Sequence, residues 1–124
     1  MTTRSSKGQD IRDRTFRFGV QIVKMSGRLP RTAAGFKLAD QVIRSGTSVG
    51  ANVEEADAAE SKKDFIHKMK IALKEAQETR YWLRIIIASE MLTDSEIAKL
   101  LQEIDELVRI LNTIISNTAK TMIE

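Results

Sequence analysis

The sequence predicts an all-α protein folded as an antiparallel up-down-up-down four-helix bundle. Its 124 residues contain one proline, few aromatic residues and no Asn-Gly or Asp-Gly pair, a composition that argues against β-hairpins. Apolar residues instead recur at spacings of three and four along four long segments. The connections between these segments are short, so we expect consecutive helices to be antiparallel neighbours.

The first helix is predicted over residues 11–26. Asp10 stands where an N-cap is expected, and Gly27 followed by Pro30 marks the end of the helix. The apolar side chains that we expect to face the core are Phe16, Val20, Ile22 and Val23. Cations decorate the remaining surface of this helix, at Arg12, Arg14, Arg17 and Lys24.

The second helix is predicted over residues 32–58 and carries a broad face of apolar and small residues. One stripe is formed by Leu38, Val42, Val49, Val53 and Ala56, and the adjoining stripe by Ala39, Ile43, Gly46 and Gly50. Glycine inside a helix costs about 1 kcal/mol relative to alanine. Two glycines four residues apart therefore predict that another backbone approaches this helix closely.

The third and fourth helices are both predicted to open with a capping box, a hydroxyl residue followed three positions later by an acid. Ser61 and Asp64 form the first box, and Thr93 and Glu96 form the second. The predicted core residues of the third helix are Phe65, Met69, Ala72, Ala76, Thr79, Leu83 and Ile86. Those of the fourth are Ile97, Leu100, Leu101, Ile104, Leu107, Val108, Leu111, Ile114 and Ile115.

The chain divides on this basis into a flexible basic N-terminus at residues 1–9, one bundle domain at 10–117 and a fraying tail at 118–124. A domain of this length can bury a core without disulfide cross-links.

The absence of cysteine excludes disulfides and thiolate metal sites and favours a cytoplasmic location. No stretch approaches the roughly 20 apolar residues of a membrane span, so no membrane association is expected.

Charge is distributed unevenly along the chain. Residues 1–44 hold ten Lys and Arg against three Asp and Glu, whereas residues 91–124 hold three against six. The basic third predicts phosphate contacts with RNA or DNA, although a solvated helix face would show the same pattern. The candidate contacts are Arg12, Arg14, Arg17, Lys24, Arg28 and Arg31. Of the adjacent Tyr81 and Trp82, one is expected in the core or a subunit contact, and the other could stack on a base.

A polar stripe borders the apolar face of the second helix. Ser48, Asn52 and Glu55 follow one another at spacings of four and three, which places them side by side. The stripe is either exposed or half-buried against the third helix, and burial would require partners for each charge. In the second case the predicted layer comprises Arg44, Ser48, Asn52, Glu55, Glu75 and Glu78, and Arg80 is a further candidate to neutralise its acids.

The sequence contains few of the residue combinations that form catalytic sites. His67 is the only histidine, so a Ser-His-Asp triad is not expected and a di-iron site of the bundle type cannot form within one chain. Carboxylate pairs such as Glu54 and Glu55 are more simply explained as solvated or structural. We therefore expect no enzyme activity, no metal and no cofactor.

Three segments together resemble one known family. They are Ser48-Val49-Gly50-Ala51-Asn52-Val53-Glu54-Glu55, then Ser61-Lys62-Lys63-Asp64-Phe65, then Ile71-Ala72-Leu73-Lys74-Glu75. The pattern is similar to that of small bacterial four-helix-bundle proteins encoded by intervening sequences within 23S rRNA genes. It covers about residues 10–117, although many relatives have proline where Gly50 stands and glycine where Ala56 stands.

This resemblance implies a left-handed bundle, a ring-shaped homopentamer and no established activity. The family also resembles the accessory variability proteins of diversity-generating retroelements, which implies basic oligomers that bind nucleic acid. We therefore expect an oligomeric scaffold that binds RNA or DNA, or alternatively a scaffold that binds only proteins. The predicted subunit contacts are the apolar residues in excess of one bundle's needs, namely Leu38, Ile43, Trp82, Ile85, Ile87 and Leu101.

Overall fold

Four helices connected by short loops account for nearly all of the chain. The computed structural model describes residues 6–123. The helices are α1 (Ser6–Ser26), α2 (Ala33–Asp57), α3 (Lys62–Ala88) and α4 (Ser95–Ile123). The all-α prediction is confirmed, and the described residues contain no strand.

The helix ends differ from the predicted ones at the two ends of the chain. α1 begins at Ser6, so Asp10 lies inside the helix and is not its N-cap. No proline stands between residues 6 and 10 to stop the helix, and residues 1–5 of the predicted flexible N-terminus lie outside the described part of the chain. α4 continues past the predicted end at residue 117 to Ile123, and the Lys62 ammonium donates to the Thr121 hydroxyl at 3.1 Å there.

Side-chain caps begin three of the helices. The Thr32 hydroxyl accepts from the Gly35 N–H at 3.1 Å, and the Ser61 hydroxyl accepts from the Asp64 N–H at 3.0 Å. At α4 the cap is Asp94, whose carboxylate accepts from the Ile97 N–H at 3.1 Å. The predicted cap Thr93 lies one residue too early, because aspartate competes with threonine for the same role.

The C-terminus of α3 ends in a hydrogen-bonded turn that contains no glycine. The Glu90 N–H donates to the Ile87 carbonyl and the Met91 N–H to the Ile86 carbonyl, which is the Schellman pattern. Glu90 takes the left-handed conformation this pattern needs, with φ of 62°. Half-buried Met91 packs on the core, which provides the apolar contact that usually accompanies the motif.

Contacts between side chains fix the antiparallel order of the helices. On α2 and α3, Arg44 pairs with Glu75 and Glu78, whereas Glu55 near the other end of α2 pairs with Lys68. α3 then contacts α4, and α4 contacts α1, the neighbouring pair whose described backbones approach each other at the fewest positions. Among the described residues α1 and α3 make no contact, so they lie diagonally across the bundle.

Residues from all four helices meet in one apolar core. Phe18, Val49, Leu83 and Leu107 are each at most 1% exposed and represent α1 to α4 in turn. Burying such a side chain contributes roughly 1.5–3 kcal/mol, so this core is the main favourable term for the fold. Among the described residues, no helix combines the length and the apolar character needed to cross a bilayer.

Gly46 and Gly50 of α2 lie against α1, which agrees with the predicted close approach of another backbone. A Cβ atom at Gly50 would lie 3.2 Å from the Thr15 carbonyl oxygen, and one at Gly46 would lie 2.9 Å from the Ile22 side chain. Gly19 of α1 faces the same contact from the other side, next to Thr47. The missing side chains therefore let the α1 and α2 backbones approach closely.

Candidate functional site

The outer surface of α1 carries an apolar stripe that no other described part of the chain covers. Phe16, Val20 and Val23 are 68%, 40% and 49% exposed, and their spacing of four and three places them in one row. We call these three residues the α1 stripe. The sequence placed them on the core face of the first helix, which is wrong: of the four predicted core residues, only Ile22 is buried.

The error arises because α1 has two apolar stripes. Ile11, Phe18, Ile22 and Met25 form the second one and are at most 4% exposed. Both stripes have helical spacing, so periodicity identifies the helix without saying which stripe faces the core. The second stripe faces inward together with Gly19, which is where α2 approaches closely. Two apolar stripes on one helix would have indicated an exposed surface, because only one of them faces the core.

The predicted subunit-contact residues expose only part of their side chains. All six are half-buried, and Leu38, Trp82, Ile87 and Leu101 pack against the core. Among the described residues, the large apolar side chains that are exposed are the α1 stripe, Phe36 at 56%, Tyr81 at 52% and Met122 at 48%. The sequence analysis did not identify Phe36 as an exposed apolar residue, because it stands outside the regular stripes of α2.

Three of the six predicted phosphate contacts are engaged in ion pairs within the chain. The Arg14 guanidinium donates to both carboxylate oxygens of Glu103, at 3.0 and 2.7 Å. Arg12 pairs with Asp57 at 3.2 Å. Arg28 pairs with Asp94 at 2.5 Å, and this hydrogen bond raises the pKa of Arg28 and lowers the pKa of Asp94.

The other three predicted phosphate contacts remain available. Arg17, Lys24 and Arg31 are exposed and make no ion pair with any side chain of residues 10–122. Lys24 also lines a half-open groove of about 440 Å³ between α1 and α4, together with Arg28 and Lys99. Met25 and Leu100 form apolar parts of this groove, and Glu96 offsets part of its positive charge.

The predicted polar layer divides into two groups. Arg44, Glu75 and Glu78 meet across α2 and α3, and the Trp82 indole N–H donates to Glu78 at 3.2 Å. Ser48 and Asn52 instead donate to carbonyls of their own helix, at 2.7 and 2.8 Å. Glu55 is exposed and pairs with Lys68 at 2.9 Å, while Arg80 pairs with Asp105 of α4 at 2.5 Å. The stripe on α2 therefore lies at the surface edge of the bundle.

One fully buried polar contact between α2 and α3 involves residues that the sequence did not predict to be paired. The Thr79 hydroxyl lies 2.8 Å from the Ser45 hydroxyl and 2.8 Å from the Glu75 carbonyl oxygen. Both side chains are 0% exposed. Ser45 lies next to Gly46 on the inner face of α2, so small polar residues on that face were the available signal.

The described part of the chain shows no side-chain cluster of the kind that holds a metal ion. In it, no group of three or more His, Cys, Asp and Glu is placed to hold a metal ion. His67 is exposed on the outer side of α3.

Comparison with known proteins agrees with the fold. The sequence profile of the 23S rRNA-intervening sequence protein family matches residues 7–113. A crystal structure from Bacteroides thetaiotaomicron, described as a protein with unknown function from the S23 ribosomal protein family, is 39% identical. The match covers 89% of this chain and 98% of that one, with a TM-score of 0.82. None of the curated proteins matches the chain.

Proposed function

The chain belongs to the 23S rRNA-intervening sequence protein family, and we propose that it acts as a non-enzymatic, self-associating helical scaffold. The observation that carries this proposal is the α1 stripe. Its three apolar side chains form one row on a stable helix, with Phe16 more than two-thirds exposed. Contiguous apolar surface of this kind marks interaction sites on soluble proteins.

We infer that the surface covering the α1 stripe belongs to another copy of the chain. The family resemblance implies a homopentameric ring, in which each subunit meets two neighbours. Arg17 and Lys24 stand beside the stripe without ion-pair partners among residues 10–122, and Asp40 and Glu54 are exposed acids on α2. Opposite charges at the rim would orient neighbouring copies, while the apolar centre supplies the affinity. The absence of cysteine favours assembly in the cytoplasm.

Light scattering during gel filtration tests self-association. We expect the wild-type protein to be an oligomer at micromolar concentration, and Val20→Asp to shift it to a monomer with unchanged helical circular dichroism. Burying an unpaired carboxylate in an apolar contact is costly, which is why one substitution suffices. The matched control is Gln77→Asp on the outer side of α3, which should leave the oligomer intact. A monomeric wild-type protein would overturn the proposal.

A second candidate function is binding of RNA or DNA through the N-terminal third. The observation that favours it is that Arg17, Lys24 and Arg31 are exposed and unpaired within residues 10–122. Repeated copies in an oligomer would add their weak contacts to give useful avidity. Binding should then fall steeply with salt, because each phosphate contact releases counterions. If no RNA or DNA binds at about 50 mM salt, a scaffold that binds only proteins is the remaining alternative.

A further inference from the structure

The outward side of α3 carries a continuous row of cationic and neutral residues. Seven residues recur along it at alternating spacings of four and three, so they lie on one side of the helix. All seven are exposed. We call this set the α3 stripe: Lys63, His67, Lys70, Lys74, Gln77, Tyr81 and Arg84.

The charge of the α3 stripe is not cancelled within the bundle. Its three lysines and Arg84 make no ion pair with any side chain of residues 10–122. The acids Glu75 and Glu78 of the same helix are engaged by Arg44 of α2. On the other side, Asp105 of α4 is engaged by Arg80. The stripe therefore differs from α1, where half of the predicted contacts are already paired.

An exposed aromatic ring interrupts this row of cations. Tyr81 is 52% exposed and stands between Lys74 and Arg84. Its inner edge packs on Trp82 in a T-shaped contact with the ring centroids 5.3 Å apart. The Trp82 indole N–H in turn donates to Glu78, so the Tyr81 ring packs against a side chain that is itself held by a hydrogen bond. Surfaces that bind single strands combine cations for the backbone with aromatic rings for the bases.

We propose that the α3 stripe binds single-stranded nucleic acid, with the lysines and Arg84 on phosphates and Tyr81 stacked on a base. From Lys63 to Arg84 the stripe extends for about 32 Å along the helix, at 1.5 Å per residue, which accommodates several phosphates. A single strand is favoured over a duplex because an aromatic ring on a convex surface can stack only on an unpaired base.

This inference adds a second surface to the proposed binding of RNA or DNA. It rests on the proposed self-association only for avidity. Since α1 and α3 lie diagonally across the bundle, the α1 stripe and the α3 stripe are separate surfaces of one copy. A monomer would bind more weakly through the same residues. Loss of oligomers and loss of nucleic-acid binding are thus separate observations.

Fluorescence anisotropy with labelled 20-nucleotide oligo-uridine, oligo-thymidine and a duplex of equal length tests the proposal. The first variant is Lys70→Gln, Lys74→Gln and Arg84→Gln in one chain. Its matched control is Lys37→Gln, Arg109→Gln and Lys120→Gln, which removes the same charge from exposed positions of α2 and α4. We expect the α3 variant to bind single strands at least tenfold more weakly at about 50 mM salt and the control to change less than threefold. Losing three contacts should also reduce the slope of log affinity against log salt by about 2.

Substitution of the ring separates stacking from charge. Tyr81→Leu should weaken single-strand binding several-fold without changing the salt slope, whereas Phe36→Leu, at another exposed aromatic, should have no effect. Binding that is kept in the α3 variant would overturn the inference, and so would an equal loss in the control, because net charge alone would then explain the effect. Equal or tighter duplex binding, or an unaffected Tyr81→Leu, would overturn the single-strand assignment. Absence of any binding would overturn both nucleic-acid proposals and leave self-association to its own test.

Discussion

Gly19 and Gly46 lie on opposite sides of one helix contact, but an added methyl group would meet different surroundings at each. At Gly46 a Cβ atom would lie 2.9 Å from Cγ2 and 3.3 Å from Cβ of Ile22, a β-branched residue with little freedom to move. At Gly19 its nearest neighbour would be the Thr47 Cα atom at 3.8 Å, an ordinary contact. The same substitution should therefore have opposite effects.

We predict that Gly46→Ala lowers the free energy of unfolding and Gly19→Ala raises it. Overpacking costs about 1–3 kcal/mol and the better helix propensity of alanine returns about 1 kcal/mol, so Gly46→Ala should lose up to about 2 kcal/mol. Gly19→Ala should gain up to about 1 kcal/mol. Urea unfolding at equal protein concentration measures both. If the two variants were equally stable, the close approach of α1 and α2 would not depend on these glycines.

Individual residues show how far the sequence could predict the site. Gly46 and Gly50 were predicted correctly because an unfavourable residue in a helix needs a packing reason. Phe16 and Val20 were misplaced because both stripes of α1 satisfy the same periodicity, and only contacts with α2 decide between them. Glu90 gave no signal either, since a left-handed turn is usually marked by glycine.

At the scale of the element, the start of α4 depends on one carboxylate with two duties. Asp94 caps the helix through the Ile97 N–H and pairs with Arg28 beyond α1. The Arg28 hydrogen bond is the main cause that lowers the pKa of Asp94, and the Ile97 N–H adds to it. Capping and charge pairing thus connect the start of α4 to the loop after α1.

We predict that this carboxylate makes stability depend on pH in acid. Its folded pKa lies below the unfolded one, so its contribution is complete above the unfolded pKa and is lost as pH falls through the folded pKa. Asp94→Asn should be less stable than wild type near neutral pH, and the difference should vanish in acid. Thermal melts across pH 2–7, with Asp94→Ala as the variant that also loses the cap, measure this. A difference between wild type and Asp94→Asn that persists in acid would show that the charge of the carboxylate is not its cause, because asparagine keeps the cap.

At the scale of the molecule, folding redistributes the charge that the sequence shows as a gradient. Arg14 and Arg28 of the basic third meet Glu103 and Asp94 of the acidic third, because α1 and α4 are neighbours. Linear charge counts could not predict this pairing, since it depends on which helices pack together. They also missed the α3 stripe, whose cations are interleaved in sequence with acids that face other helices. Surface charge is therefore a property of the fold.

Of the neighbouring helix pairs among the described residues, α1 and α4 have the fewest close backbone approaches, so we predict that their contact is the first to open. The Arg14–Glu103 pair joins the two helices, with both side chains less than a third exposed. Arg14→Met should lower the free energy of unfolding by about 1 kcal/mol and speed amide exchange in α1, while exchange in α3 keeps its protection. Arg17→Met removes an exposed, unpaired guanidinium and should change stability by less than about 0.5 kcal/mol. A double-mutant cycle with Glu103→Gln isolates the pair, and a coupling energy near zero would show that apolar packing alone holds α1 against α4.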